Sequence, residues 1–333
     1  MHRVFSNARR SRFPKVFPLV AVLALAISAC GADLGKSNFA RTTVPAAAGA
    51  STDGPITDAA VATEVLRLIK PCQFLTKDAL ASLGTAEEDP RASSIQFEGC
   101  DNSVKDPGGK TIRFTLTTGT ASIPSKDKTA GTVGGLPLRE SKQDSNCSLG
   151  AVTTQPKFGI LLSVDYTGGD PCRAGQTLLE AIVAKLHNNP DKYQPSQGTL
   201  LTADACAGLD SAAVEPVAPG AKGAADSLHS CTWTAGTDPS VVASFRPGLP
   251  PIEGNGYEKT DLGSGITAYK KQASGKTSDC VVEWKHRTWE GDQVELAQLE
   301  YRNYSGGATS ESDDPCGKAV TLAKVMVTKL PKP

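Results

Sequence analysis

After its N-terminal segment, this 333-residue chain has no second apolar run that approaches the roughly 20 residues of a membrane-spanning helix. It also lacks an excess of either charge: 35 Lys and Arg face 35 Asp and Glu. A basic stripe of the kind that nucleic acid selects is therefore missing. No two cysteines lie closer than 25 residues, which excludes the C-x2–4-C pairs of structural zinc sites and the CxxC redox motif. The pattern G-x-S-x-G does not occur, so a nucleophile elbow is excluded. Aromatic residues make up only 5%, which suits an ordinary soluble extracytoplasmic composition.

What is present begins with the address. Arg3, Arg9, Arg10, Arg12 and Lys15 stand in the first fifteen residues without an acid, and an apolar run from Val16 to Ala29 follows. A basic head, an apolar core of this length and then small residues are the pattern of a secretory signal peptide. The run ends in Ile27-Ser28-Ala29-Cys30, which resembles the bacterial lipobox: an aliphatic residue, two small ones and a cysteine. That resemblance implies cleavage of residues 1–29 and lipidation of Cys30, which holds the mature chain to the outer face of the cell membrane. Two or more acyl chains anchor stably where one is marginal. Removal of the signal leaves 30 basic against 35 acidic side chains, a formal net charge of −5. Residues 30–56 are small and polar without apolar periodicity, as in a flexible tether.

The remainder repeats itself. "DPCRAGQTLLEAIVAKL" (170–186) aligns without a gap with "DPCGKAVTLAKVMVTKL" (314–330), and "FLTKDALASLG" (74–84) aligns with "LLTADACAGLD" (200–210). The same order in both places predicts two similar domains, 57–188 and 189–333, divided near the polar "HNNPDKYQPSQG" (187–198). Thr76 and Thr202 are positioned as helix N-caps with Asp78 and Asp204 in the first turn. Asp170-Pro171 and Asp314-Pro315 open a second helix in each repeat. In those helices Leu178, Ile182 and Leu186, like Leu322, Met326 and Leu330, recur at fours and share one face. "TIRFTLTT" (111–118) alternates as a half-buried strand does, and 159–166, 241–245, 280–286 and 294–301 are further strand candidates. The expected class is α+β: in each domain an antiparallel sheet with N- and C-terminal helices.

Leaving Cys30 aside, the cysteines divide four and four: Cys72, Cys100, Cys147 and Cys172, then Cys206, Cys231, Cys280 and Cys316. Outside the cytoplasm an even count per domain predicts two disulfides in each. Three pairings are open per domain. The shortest loops favour Cys72–Cys100, Cys147–Cys172, Cys206–Cys231 and Cys280–Cys316.

Catalytic motifs are fragmentary. "GGKT" (108–111) and "SGKT" (274–277) resemble the end of a phosphate loop, but Val104 and Lys270 stand where its first glycine belongs, so turns are expected. Ser125-x-x-Lys128 has a serine–lysine spacing in a polar loop without SDN or KTG partners. His187, His229 and His286 show no metal-ligand spacing. No catalytic residue, metal or cofactor is expected. Trp233, Trp284 and Trp289, with Tyr257, Tyr269, Tyr301 and Tyr304, all fall in the second repeat. They are core candidates first, and the three tryptophans are the weak candidates for lining a ligand groove.

The lipobox, the "PCQFLTKDAL" segment, a central cysteine in "EGC" or "SCTW" and the "DPC" helix together resemble the actinobacterial lipoproteins of the domain-of-unknown-function 3558 family, here in tandem. The second repeat departs from that pattern in lacking "PC" before "LLT". A looser similarity is to extracytoplasmic sensor domains of actinobacterial kinases. The family resemblance implies a cell-envelope lipoprotein and carries over no catalytic residue. The expected function is a non-enzymatic binding or sensing module for a small molecule, lipid, glycan or envelope protein. A structural scaffold is the alternative, and a hydrolase assembled only in three dimensions a third.

Overall fold

The computed structural model describes residues 55–236, 238–272, 278–304 and 313–333. Cys30, the expected signal peptide and almost all of the expected tether lie outside the described residues, as does "SGKT" (274–277).

The first half opens with short helical turns: α1 (Thr63–Leu66), a 3-10 turn (Pro71–Phe74) and α2 (Lys77–Leu80). Thr76 caps α2 by accepting the Ala79 N–H through its hydroxyl, which satisfies one of the free donors of the first turn. Eight strands follow: β1 (Thr85–Ala86), β2 (Arg91–Ala92), β3 (Gly99–Lys105), β4 (Thr111–Thr120), β5 (Thr129–Val133), β6 (Leu136–Gln143), β7 (Asn146–Thr154) and β8 (Phe158–Tyr166). "GGKT" is the β3–β4 hairpin turn. Gly109 sits there at φ +77°, a conformation open to glycine at no steric cost. The half closes with α3 (Pro171–His187), capped by Asp170 with Pro171 at its first position.

The second half repeats the plan. A 3-10 turn (Ala205–Gly208) and α4 (Ser211–Val214) precede β9 (Lys222–Ser227), β10 (Ser230–Thr234), β11 (Ser240–Gly248), β12 (Glu258–Asp261), β13 (Thr267–Gln272), β14 (Ser278–Thr288) and β15 (Val294–Asn303). Helix α5 (Pro315–Lys329) ends it, capped by Asp314. Here the expected cap moves: Asp204, not Thr202, accepts the first N–H, that of Cys206, and Thr202 ends a separate 3-10 turn (Leu200–Thr202). Aspartate ranks above threonine as an N-cap, so Asp204 takes the role from its neighbour Thr202.

All strand pairs are antiparallel. The order β3-β4-β8-β7-β6-β5 in the first half recurs as β10-β11-β15-β14-β13-β12 in the second. In each half one face is apolar and carries the long helix, α3 on β7 and β8, and α5 on β14 and β15. Leu178, Leu179, Ile182, Val183 and Leu186 of α3 are buried there, each contributing about 1.5–3 kcal/mol by transfer from water. Leu322, Ala323 and Met326 are buried on the matching face of α5.

The disulfides are Cys72–Cys100, Cys147–Cys172, Cys206–Cys231 and Cys280–Cys316. In both halves one bridge ties an N-terminal 3-10 turn to β3 or its counterpart β10, and the other ties a central strand, β7 or β14, to the start of the long helix. Cys72 and Cys206 sit at different points of the sequence alignment yet do the same job.

Each half has its own core, but the sheet does not stop between them. β4 pairs with β3 and then, at Thr120, with Ser227 of β9, making one 15-stranded sheet among the described residues. Both halves belong to one compact unit, Ala47–Pro333. Two side chains cross over: Phe97 lies in the second core and Leu228 in the first. Gly119 makes this possible, because a Cβ there would stand 2.4 Å from Leu228 Cγ. Beside them a wholly buried pair joins the halves, His229 Nδ1 to Glu98 Oε2 at 2.8 Å. His229 Nε2 donates to the Leu201 carbonyl at 2.7 Å, so that nitrogen carries its proton. Burial opposes ionisation of Glu98, but the charge and hydrogen bond of His229 outweigh it and hold the carboxyl below its ordinary range. Arg67 Nε adds a bond to the Leu228 carbonyl at 3.0 Å.

The connecting segment is strapped to both halves. Tyr193 N–H donates to Leu68 O and Lys70 N–H to Asp191 O. On the other side His286 Nε2 donates to Gly198 O and Arg287 Nη1 to Gln197 O. Buried Glu295 accepts from Thr199 Oγ1 and from Leu200 N–H, each at 2.6 Å.

Candidate functional site

The face of the sheet opposite the helices is where the chain displays its chemistry. In the second half, alternation that buries Val241, Ala243, Phe245, Ala297, Leu299, Tyr301, Cys280, Val282 and Trp284 turns their neighbours outward. Register then sets rows across β11, β15 and β14: Ser240, Arg302 and Asp279; Val242, Glu300 and Val281; Ser244, Gln298 and Glu283. Lys271 of β13 continues the second row beside Val281.

These groups form a ladder of paired charges. Arg246 Nη2 donates to Glu283 Oε2, and its Nε to Gln298 Oε1 at 3.4 Å. Arg302 Nη2 donates to Glu300 Oε2 at 2.6 Å. Burial raises the Glu283 carboxyl above its ordinary range despite Arg246. Tyr257 lies beneath Lys271, whose Nζ is 5.1 Å from the ring centroid. With Asp279 and Val281 the two line a cleft of about 230 Å3. Burial, then the Glu283 charge, raises the Tyr257 hydroxyl. Tyr304, 49% exposed, stands at the end of β15. The result is a surface of alternating donors, acceptors and tyrosine rings.

The expected tryptophans take other places. Trp233 and Trp284 are buried in the second core. Trp289 is half-buried and packs edge-on to Phe97, 5.0 Å between centroids, with Tyr193 at 5.4 Å. None of the three lines the clefts at Arg113, Lys110, Tyr257 or Phe74. Their size is spent on filling the core and the junction, and the outward aromatic positions fall to Tyr257, Tyr269 and Tyr304.

The other motifs resolve individually. Ser125 donates to Asp127 beside an exposed 3-10 turn, Lys126–Lys128. His187 contacts the Val183 carbonyl at 2.8 Å and Asp58 Oδ2 at 2.7 Å, and both raise its pKa. Burial lowers that of His286. Among the described residues no histidine ring nitrogen hydrogen-bonds a serine, threonine or cysteine. Glu140, Cys147 and Cys172 cluster closely enough to suggest a metal site, but both sulfurs are spent on a disulfide.

Residues 25–185 match the family described as Protein of unknown function (DUF3558), which covers the first half but not the second. No curated protein matches the chain. Among solved structures, the di-domain ARO/CYC BexL from the BE-7585A biosynthetic pathway is similar at 10% identity, covering 84% of this chain and 98% of its own, with a TM-score of 0.17. The di-domain ARO/CYC StfQ from the steffimycin biosynthetic pathway is similar at 10% identity over 79% and 96%, with a TM-score of 0.21. Likeness at these scores carries no statement about fold or activity.

Proposed function

We propose that the chain is a non-enzymatic binding module of the cell envelope, lipid-anchored through Cys30 to the outer face of the membrane. Its two halves descend from a tandem duplication of an actinobacterial lipoprotein domain. The helix-free face of the second half contacts a polar partner, a glycan or an envelope protein. The ladder of Arg246, Glu283, Glu300 and Arg302 beside the Tyr257–Lys271 cleft carries this reading. Such a face offers hydrogen-bond donors and acceptors on a rigid sheet, and tyrosine supplies contact area at low entropic cost. The histidine nitrogens, engaged by backbone carbonyls and carboxylates, support a binding role over hydrolysis. An assembly scaffold is favoured by one observation only: Leu249 and Ile252, 70% and 71% exposed, on the loop between β11 and β12.

The test is native mass spectrometry, with crosslinking, of the protein taken from its own envelope, wild type beside Tyr257→Ala/Lys271→Ala. A mass or crosslink retained by the wild type and lost in the variant is expected. A bare wild type with no crosslink, or a partner held equally by the variant, contradicts the reading. For the anchor, Cys30→Ala is expected to leave the chain without lipid, read as the intact mass of the membrane fraction. Lipid retained in that variant would contradict it.

A further inference from the structure

Because 170–186 and 314–330 align without a gap, the surfaces beside the two long helices can be compared position by position. In the second half Met326 is fully buried and packs on Gly208, its Cε 3.2 Å from where a Cβ on that glycine would sit. Lys329 Nζ pairs with Asp210 Oδ2 at 2.6 Å. Asp210 also caps α4, and α4 packs on α5.

The first half lacks each of these closures. The counterpart of Met326 is the shorter Ile182, that of Val325 is Ala181, and that of Asp210 is Gly84. After Gly84 the chain enters β1 instead of a helical turn. A cleft of about 250 Å3 is left between the 3-10 turn, α2 and α3. Phe74, Leu178 and Ile182 form its apolar floor, and Ala79 and Ala181 its walls. Lys185, the counterpart of Lys329, stands at the rim. Among the described residues its Nζ has no carboxylate partner, whereas Lys329 has one.

We propose that this cleft binds a free anionic amphiphile, its short aliphatic chain in the slot and its carboxylate on Lys185. An apolar slot with one polar group at its mouth is the usual construction of a small-molecule site. The volume falls below the roughly 300–1,000 Å3 of drug-sized pockets, which selects a short monomeric chain over a two-chain bilayer lipid. The unpaired ammonium selects an anion over a neutral or cationic head. The site lies in the half away from Tyr257 and Lys271 and goes beyond the function proposed above.

Calorimetric titration of the full-length chain with octanoate, octanol and octylammonium tests it. Octanoate is expected to bind most tightly and octylammonium least, by roughly threefold per step, as befits an exposed charge pair. Ala181→Phe, an exposed helix position, fills the slot and weakens all three at least tenfold. If that variant fails to fold, Ala79→Phe on the opposite wall takes its place. Lys185→Glu reverses the order of octanoate and octylammonium. Absence of octanoate binding, unchanged binding in the filled variants, or an unchanged order in Lys185→Glu overturns the proposal. Octanoate binding in a protein that carries no partner on the helix-free face would uphold this site while the wider reading falls. The reverse result would remove this site alone.

Discussion

At the same point of two aligned helices, Ile182 leaves a gap and Met326 fills one. The same pattern holds around them. Lys329 has its Asp210, and among the described residues Lys185 has no such carboxylate. The open sheet faces differ as well: the first half shows Asp101, Ser103, Arg113, Thr115 and Ser163, and the second the Arg–Glu ladder with its tyrosines. The six-strand order, the long helix and the two bridges, by contrast, recur in both halves. The two halves thus share what makes each fold and differ where side chains meet solvent. Surface positions away from caps and partners cost within about 0.5 kcal/mol to change, so divergence there is tolerated and leaves room for separate ligands.

The comparison breaks most severely at the junction. Glu98→Ala leaves the His229 ring buried without its carboxylate, and removing one partner of a buried pair costs roughly 3–5 kcal/mol. Urea unfolding should show that loss. The Glu98 carboxyl also gives the junction a pH dependence of known sign. Because the Glu98 carboxyl is lowered in the folded state, its contribution is full above the ordinary glutamate range and is lost as pH falls through the folded-state value. Wild-type stability should therefore fall more steeply in acid than that of Glu98→Gln, and parallel acid limbs would contradict the pairing.

Equivalent bridges should cost nearly equal amounts. Cys147–Cys172 closes a loop of 25 residues and Cys280–Cys316 one of 36, each worth roughly 3–4 kcal/mol by chain entropy, with the second ahead by about 0.3 kcal/mol. Paired Cys→Ala variants compared by urea midpoint and slope check this. A deficit confined to one half would show that the halves do not share a plan of stabilisation.

The smallest effect separates the two lysines. Lys329→Ala removes an exposed pair and is expected to lower thermal stability only slightly. Lys185→Ala has no such pair to lose and is expected to change thermal stability by less. Equal losses would mean that Lys185 has a partner.

Much of this architecture is legible in the sequence because it is written at short range. The Asp-Pro starts of α3 and α5, the alternation of β4 and the shortest-loop bridges each depend on neighbours within one or two elements. The junction is not legible, since nothing near Phe97 or Leu228 announces that each enters the other half's core. Nor does the composition of 187–198 reveal its strapping, because polar residues serve a solvated linker and one held by backbone bonds alike. The candidate site was half visible: Tyr257 and Tyr304 stand out in a chain poor in aromatics, as did the tryptophans. Only register decides which of them face outward.

The central claim is that two equivalent halves are joined through one sheet into a single cooperative unit. Differential scanning calorimetry of the full chain tests it directly. One transition whose calorimetric and van't Hoff enthalpies agree is predicted, with Glu98→Ala separating it into two. Two independent transitions in the wild type would contradict the account and leave the halves as separate domains on a common thread.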